Sequence, residues 1–161
     1  MRPEEAALVG QAIRAAEGCA RRLRRSQQIL GTVFPLSAMT IGALDPDVED
    51  DLDAFLKRYE QLVNTIHDEL FTVVAMVGYE DIRGLARREV SELMERLGAL
   101  PSAPTFRMLV AIRNRIAHVY PDDPERQTRN LNDAYDAIPE LLAAYGAVRR
   151  YLERRLQHPV P

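Results

Sequence analysis

The chain has 161 residues and a mass of 18.2 kDa, which is enough for one domain with its own hydrophobic core. Its 21 basic and 24 acidic residues give a formal net charge of −3, so any contact with a nucleic acid must be local. No apolar run approaches the roughly 18 residues of a membrane span, and the single Cys19 excludes an internal disulfide and fits a reducing cytoplasm.

The N-terminal segment predicts a long helix followed by an apolar connector. Pro3 and the two glutamates after it are typical of a helix start, and apolar residues at helical spacing continue to Gly31. The early acids do not fit a signal peptide, so a cytoplasmic location is expected. Glycine, proline and serine break the pattern over residues 31–46, which we interpret as a connector that packs against other parts of the chain.

A second long helix is predicted to carry the seam of a bundle. Asp45 and Pro46 suit its cap and first turn, and Gly78 suits its end. His67 lies beside the seam and is interpreted as a rim residue rather than a ligand. The seam residues are spaced alternately by four and three: Leu52, Leu56, Tyr59, Val63, Ile66, Leu70, Val73 and Val77, widened by Phe55, Leu62 and Val74.

The remaining sequence predicts further helices. One fits residues 85–97 and ends at Gly98. After the motif segment described next, helical spacing resumes near Pro124, and Pro139 either kinks that helix or begins another. Because no strand alternation or internal repeat is found, the fold class predicted for residues 1–161 is an all-α, single-domain helical bundle.

The most informative stretch is Arg113-Asn114-Arg115-Ile116-Ala117-His118-Val119-Tyr120, which ends a helix predicted from about Thr105 to Tyr120. Arginine can bind a phosphate and histidine can move protons near neutral pH. At about 100° per residue, Asn114 and His118 form a pair facing away from the core, with Arg113 and Tyr120 at the border of the buried stripe. This polar face is either solvated or covered by a second chain. Only a second chain would bring the groups for phosphodiester chemistry together at one site.

The arrangement reads RxxxxHxY with an asparagine after the arginine, and it resembles the signature of HEPN-domain proteins. The resemblance is to HEPN ribonuclease toxins paired with minimal nucleotidyltransferase (MNT) antitoxins. Residues 53–71 (DAFLKRYEQLVNTIHDELF) are similar to the long helix of that subgroup, and residues 91–123 are similar to its motif-bearing half. With the C-terminal helices, the resemblance covers residues 45–156.

The resemblance implies an HEPN-like homodimer in which the motifs of two protomers meet, acting on RNA as a metal-independent endoribonuclease and toxin. Arg113 and His118 would be catalytic, and Asn114 would support them. Tyr120 would be the hydroxyl that a cognate MNT antitoxin modifies with adenylate (AMPylation) in some members. No cofactor, metal or membrane partner is implied. The chemistry is plausible, because RNA carries its own nucleophile in the 2′-OH group.

A second class of function stays open at this point. The same resemblance also fits a noncatalytic HEPN subunit that binds a nucleotide, or that serves as substrate and scaffold for a nucleotidyltransferase. The intact RxxxxHxY pattern favours the enzyme, although Tyr120 has a use in both schemes.

Overall fold

The computed structural model describes residues 1–118 and 122–157, and every regular element in these ranges is a helix. This confirms the predicted all-α architecture. None of these helices is long and apolar enough to cross a membrane. In chain order they are α1 (Pro3–Ile29), α2 (Ala38–Ile41), α3 (Pro46–Asn64), a π-helical segment (Thr65–Leu70), α4 (Phe71–Val77), α5 (Arg87–Arg96), α6 (Ala103–Ile116), α7 (Pro124–Asp136) and α8 (Ile138–Gln157).

The first helix, α1, packs along α3 and also contacts the π segment and α8. Its buried face carries the small residues Ala12, Ala16 and Ala20, whose short side chains allow another helix to approach closely. Leu8 has the helical spacing that predicts this face but is 51% exposed, and the adjacent Val9 is fully buried instead. The buried stripe of α1 is therefore displaced by one residue at its N-terminal end.

The predicted long helix from Pro46 to Gly78 is confirmed as one continuous helical path, but it contains an unpredicted π segment. A π-helical turn holds more residues than an α-helical turn, so the residues that follow it change their bearing. Phe71 and Val74 are fully buried, whereas Val73 from the predicted seam is only half-buried. Leu56, before the π segment, is also half-buried, so the fully buried stripe runs through the widening residues Phe55, Leu62 and Val74.

The predicted connector, residues 31–46, packs against α7. The Phe34 ring stacks on the Tyr135 ring, with 4.1 Å between centroids and 7° between planes. The Leu36 N–H donates to Asn132 Oδ1 over 2.8 Å, and Asn132 Nδ2 donates to the Leu36 carbonyl over 2.9 Å. One side chain therefore satisfies both backbone polar groups of Leu36, which is 5% exposed.

Helix α6 begins two residues before the predicted start at Thr105. Ser102 is its cap, and the Ser102 hydroxyl accepts a hydrogen bond from the Thr105 N–H over 3.2 Å. Pro104 lies inside the first turn, where a missing N–H has no cost. The helix then contacts α5, α7, α3 and α8, so the segment that carries the motif is packed on several sides.

The last two helices meet at Ala137, between Asp136 and Ile138. Pro139 falls in the first turn of α8, which confirms the second of the two alternatives at this proline, that it begins a new helix. Asp123 caps α7 by accepting a hydrogen bond from the Arg126 N–H over 3.0 Å.

Candidate functional site

The motif does not lie on one uninterrupted helix. Helix α6 ends at Ile116, and His118 follows in a bend. The Ala117 N–H donates to the Arg113 carbonyl over 3.2 Å, and the His118 N–H donates to the Arg115 carbonyl over 3.4 Å. The prediction of a helix that holds His118 in its last turn is therefore wrong. Pro121 supplies a reason in the sequence, because a proline disfavours helical backbone in the residue before it.

Tyr120 lies outside the described residues, together with Val119 and Pro121. The predicted placement of Tyr120 beside Arg113 therefore also lies outside them. His158 and the three residues after it are likewise outside the described ranges.

Arg113 is half-buried, as its predicted border position requires. Its Nε atom is buried and has no hydrogen-bond partner. The residue lines a pocket of about 260 Å³ together with Asp53, Lys57 and Glu60 of α3. An unpartnered buried donor costs roughly 1–3 kcal/mol, so an acceptor that reached this nitrogen would recover that energy. The two carboxylates in the same pocket weaken its attraction for an anion.

Asn114 and His118 are both exposed, which confirms that they face away from the core of their own protomer. Asn114 lines a second pocket of about 260 Å³, which lies between the π segment, α5 and α6. Arg113 does not line this pocket. Within one protomer, the arginine and asparagine of the motif therefore border different cavities on different sides of α6.

Arg115, the second arginine of the motif segment, has a different role. Its Nη2 atom donates to Asp133 Oδ2 over 3.3 Å and so links α6 to α7. Both side chains are substantially exposed, and such a surface pair contributes well under about 1 kcal/mol. Arg115 offers a natural comparison for Arg113, since it has the same charge on the same turn of α6.

His67 is largely buried, although the sequence pattern places it at the rim of the seam. Its side chain is only 10% exposed, and its ring lies 5.7 Å from the Phe71 ring. Nδ1 lies 3.0 Å from Asp68 Oδ1, and because an ionised carboxylate only accepts, Nδ1 is the donor. The other ring nitrogen, Nε2, is buried without a hydrogen-bond partner. His67 is thus more buried than a rim position implies, and it borders the same pocket as Asn114.

The pocket beside His67 also contains three arginines, Arg87, Arg88 and Arg107. Arg88 donates to Glu92 over 2.9 Å, and this hydrogen bond is the main reason why the pKa of Glu92 lies below its usual value. Arg107 Nη1 lies 3.5 Å from the same carboxylate, yet it forms no hydrogen bond and is buried. The arginines come from α5 and α6 and the histidine comes from the π segment, so spacing along the chain does not connect them.

In the described part of the chain, no group of three His, Cys, Asp or Glu side chains is placed to hold a metal ion. Comparison with known proteins adds no relative: no family model matches the chain, and no curated protein or solved structure is significantly similar to it. The resemblance to HEPN toxins therefore rests on the motif and on the two sequence segments that accompany it.

Proposed function

We propose that this chain is an HEPN-type toxin, a metal-independent endoribonuclease that cleaves RNA in a cleft between two protomers. The observation that carries the proposal is the arrangement at the C-terminal end of α6. There, Arg113 has a buried Nε without a hydrogen-bond partner, and His118 is exposed just beyond the last helical turn. A phosphate clamp and a proton-transfer group thus lie five positions apart on one exposed end of a packed helix.

The proposed reaction uses the ribose 2′-OH as nucleophile. His118 removes its proton, and the resulting oxygen attacks the adjacent phosphorus. Arg113 stabilises the charge that develops on the nonbridging oxygens. The bond to the 5′-oxygen then breaks, and that oxygen takes a proton from the second imidazole of the cleft. The products are a 2′,3′-cyclic phosphate and a 5′-hydroxyl.

The second protomer has a specific physical purpose in this proposal. In one protomer, Asp53 and Glu60 offset the charges of Arg113 and Lys57 in the same pocket, so the pocket has no excess of positive charge for a phosphate. A two-fold contact through this end of α6 would bring two guanidiniums and two imidazoles to one phosphate. Asn114, exposed on another side of α6, would position the RNA backbone.

Nuclease assays with purified protein test the catalytic roles directly. Arg113→Ala and His118→Ala should each lose RNA cleavage in the presence of EDTA while keeping the helical circular dichroism of the wild type. Loss of a general base typically lowers the rate by about 10²- to 10⁴-fold.

Arg115→Ala is the matched control, because it removes the same charge from the same helix end and breaks only an exposed ion pair. Its cleavage rate should stay near that of the wild type. Cleavage by His118→Ala at the wild-type rate, or a wild-type activity that requires a divalent metal, would contradict the proposal.

The proposal extends to neutralisation by a nucleotidyltransferase antitoxin. An adenylate on Tyr120 would bring a negative phosphate next to the motif and compete with RNA for the guanidinium. Co-expression with the cognate nucleotidyltransferase, followed by mass spectrometry, should then show added mass on Tyr120. Full neutralisation with an unmodified Tyr120 would mean that the antitoxin acts by covering the site.

A noncatalytic HEPN subunit is the second candidate function. The observation that favours it is the pocket of Arg113, where Asp53 and Glu60 offset the charges of Arg113 and Lys57, so that a dianionic phosphorane gains little there. Such a subunit would bind a nucleotide or a nucleotidyltransferase without cleaving RNA. Growth arrest on expression of the wild type but not of His118→Ala would exclude this candidate.

A further inference from the structure

The second pocket beside α6 has the composition of an anion site. We call it the His67 pocket, and its polar lining consists of His67 from the π segment, Arg87, Arg88 and Ser91 from α5, and Arg107 and Asn114 from α6. Val110 and Ala111 of α6 add apolar surface. A volume of about 260 Å³ accommodates a phosphate group together with part of the sugar that carries it.

Two side chains of the pocket hold buried nitrogens that lack a hydrogen-bond partner, His67 Nε2 and Arg107 Nη1. Buried polar atoms are nearly always hydrogen-bonded, so an unpartnered one calls for an explanation. Here two occur in residues that line the same cavity: Arg107 Nη1 is a donor, and His67 Nε2 donates only in the imidazolium form, because Nδ1 already donates to Asp68. His67 lies in a π-helical segment, a feature that is frequent at functional sites.

The charges around the pocket leave an excess of positive charge. Three guanidiniums line the pocket, and two carboxylates, Asp68 and Glu92, pair with them. The contact between Arg87 and Asp68 is long, 3.6 Å, and both side chains are more than half exposed. Such an exposed pair is weak, so Arg87 can exchange Asp68 for an incoming phosphate at little cost.

We propose that the His67 pocket binds a phosphate group of the RNA substrate, with Arg87 and Arg107 as its charged contacts. The pocket alone points to a phosphate-bearing ligand, while the assignment to RNA rests on the proposed function. Asn114 lines the pocket and belongs to the motif, so an RNA strand held here reaches the Asn114 side of α6, while Arg113 borders the other cavity. The apolar surface of Val110 and Ala111 suits a nucleotide sugar better than a bare ion.

The test measures binding of a fluorescent single-stranded DNA oligomer, which presents the same phosphates but lacks the 2′-OH and is not cleaved. Arg87→Gln and Arg107→Gln should each raise the dissociation constant by about tenfold. The slope of log affinity against log salt should fall by about 0.7 for each lost contact. Arg129→Gln is the control, because it removes one charge from an exposed position on α7 that does not line the pocket.

Folding of each variant is checked by circular dichroism. Arg87→Gln should fold like the wild type, because the Arg87 side chain is 59% exposed and its structural role is minor. Equal loss of binding in Arg87→Gln and Arg129→Gln, or no loss in either pocket variant, overturns the inference. Binding of ATP that depends on the pocket, without binding of the oligomer, also overturns the assignment to RNA.

RNA cleavage measured in parallel separates this inference from the proposed function. If the wild type cleaves RNA and the pocket variants bind the oligomer as it does, the inference fails and the function stands. If oligomer binding depends on Arg87 and Arg107 but no variant or wild type cleaves RNA, the pocket stands and the nuclease proposal fails. Addition of pyrophosphate should in addition shift the ring signals of His67, one of only three histidines in the chain.

Discussion

Tyr145 places a phenol hydroxyl inside the contact between α1 and α8, where it donates a hydrogen bond to Glu17. The tyrosine is 1% exposed, whereas the Glu17 side chain is 39% exposed. Burial, together with the neighbouring carboxylate, raises the pKa of Tyr145 to about 12. The hydrogen bond from Tyr145 lowers the pKa of Glu17, and Arg149 donates to the same carboxylate over 2.9 Å.

Removal of this hydroxyl should cost stability in a pH-dependent way. The pKa of Glu17 is lower in the folded than in the unfolded chain, so its contribution is complete above its unfolded pKa and disappears as pH falls through the folded pKa. We expect Tyr145→Phe to lower the free energy of unfolding by about 1 kcal/mol at neutral pH. The loss should shrink at acid pH, as pH falls through the folded pKa of Glu17, which lies below that of a typical carboxyl group.

Urea denaturation at both pH values measures this effect. Tyr151→Phe is the control, because its hydroxyl accepts a hydrogen bond from Arg155 over 3.0 Å and this contact involves no carboxylate. The loss of unfolding free energy caused by Tyr151→Phe should not change with pH in this way. A Tyr145→Phe cost that is the same at acid and neutral pH would show that Glu17 does not depend on this hydroxyl.

At the candidate site, the sequence predicts which side chains are exposed but not which groups surround them. The helical period is enough to place Asn114 on the exposed face and Arg113 at the border of the buried stripe. The carboxylates beside Arg113 come from α3, and the histidine beside Asn114 comes from the π segment. These neighbours depend on how helices pack, so spacing along one helix cannot reveal them.

Helices α4 and α5 end in the same backbone arrangement but with different residues at its left-handed position. After α5, Gly98 has φ of +74°, and the Ala99 N–H donates to the Met94 carbonyl over 3.0 Å. After α4, the left-handed residue is Tyr79, with φ of +56°, and the Glu80 N–H donates to the Ala75 carbonyl over 2.9 Å. Both helices thus end in a Schellman motif.

These two positions give opposite predictions for substitution. Tyr79→Gly should raise the free energy of unfolding by about 0.5–1 kcal/mol, since it removes the steric cost of a left-handed non-glycine residue. Tyr79 is 73% exposed, so little packing is lost. Gly98→Ala should lower the free energy of unfolding by about 1 kcal/mol.

The comparison isolates the backbone effect, because a Cβ atom at Gly98 would have no heavy atom within 4 Å. Thermal or urea unfolding of both variants measures it. If Tyr79→Gly destabilised the protein as much as Gly98→Ala does, the left-handed conformation of Tyr79 would not carry the expected cost.

Helix positions could be predicted from the sequence more successfully than helix ends and register. The apolar period marks the long path from Pro46 to Gly78, and Gly98 marks the end of α5. The period does not indicate the π segment, because an extra residue in one turn leaves no signature in composition. The sequence identifies Gly78 as the residue that ends the helix. The left-handed residue that completes the turn is Tyr79, a residue type that does not indicate such a conformation.

At the scale of the whole molecule, α6 connects the core to the candidate site. It contacts α3, α5, α7 and α8, and its buried residues Phe106, Leu109 and Ile112 belong to the common core. The end that carries Arg113 is therefore held by its neighbours, while Ala117 and His118, the described residues that follow Ile116, are exposed. A rigid helix that ends at the surface is a suitable support for a site shared with a second copy.

A shared site predicts that two inactive variants can complement each other. Arg113→Ala and His118→Ala homodimers should both be inactive, but a mixed dimer keeps one guanidinium and one imidazole in its cleft and should recover part of the nuclease activity, with water in place of the second imidazole as the acid. The measurement is RNA cleavage after the two purified variants have been mixed and allowed to exchange subunits. Arg113→Ala mixed with an Arg113→Ala, His118→Ala double variant is the control, because no dimer in that mixture contains Arg113.

Light scattering should find dimers at micromolar concentration. A monomer at that concentration, or a mixture that stays as inactive as its control, would mean that the two motifs do not share a cleft.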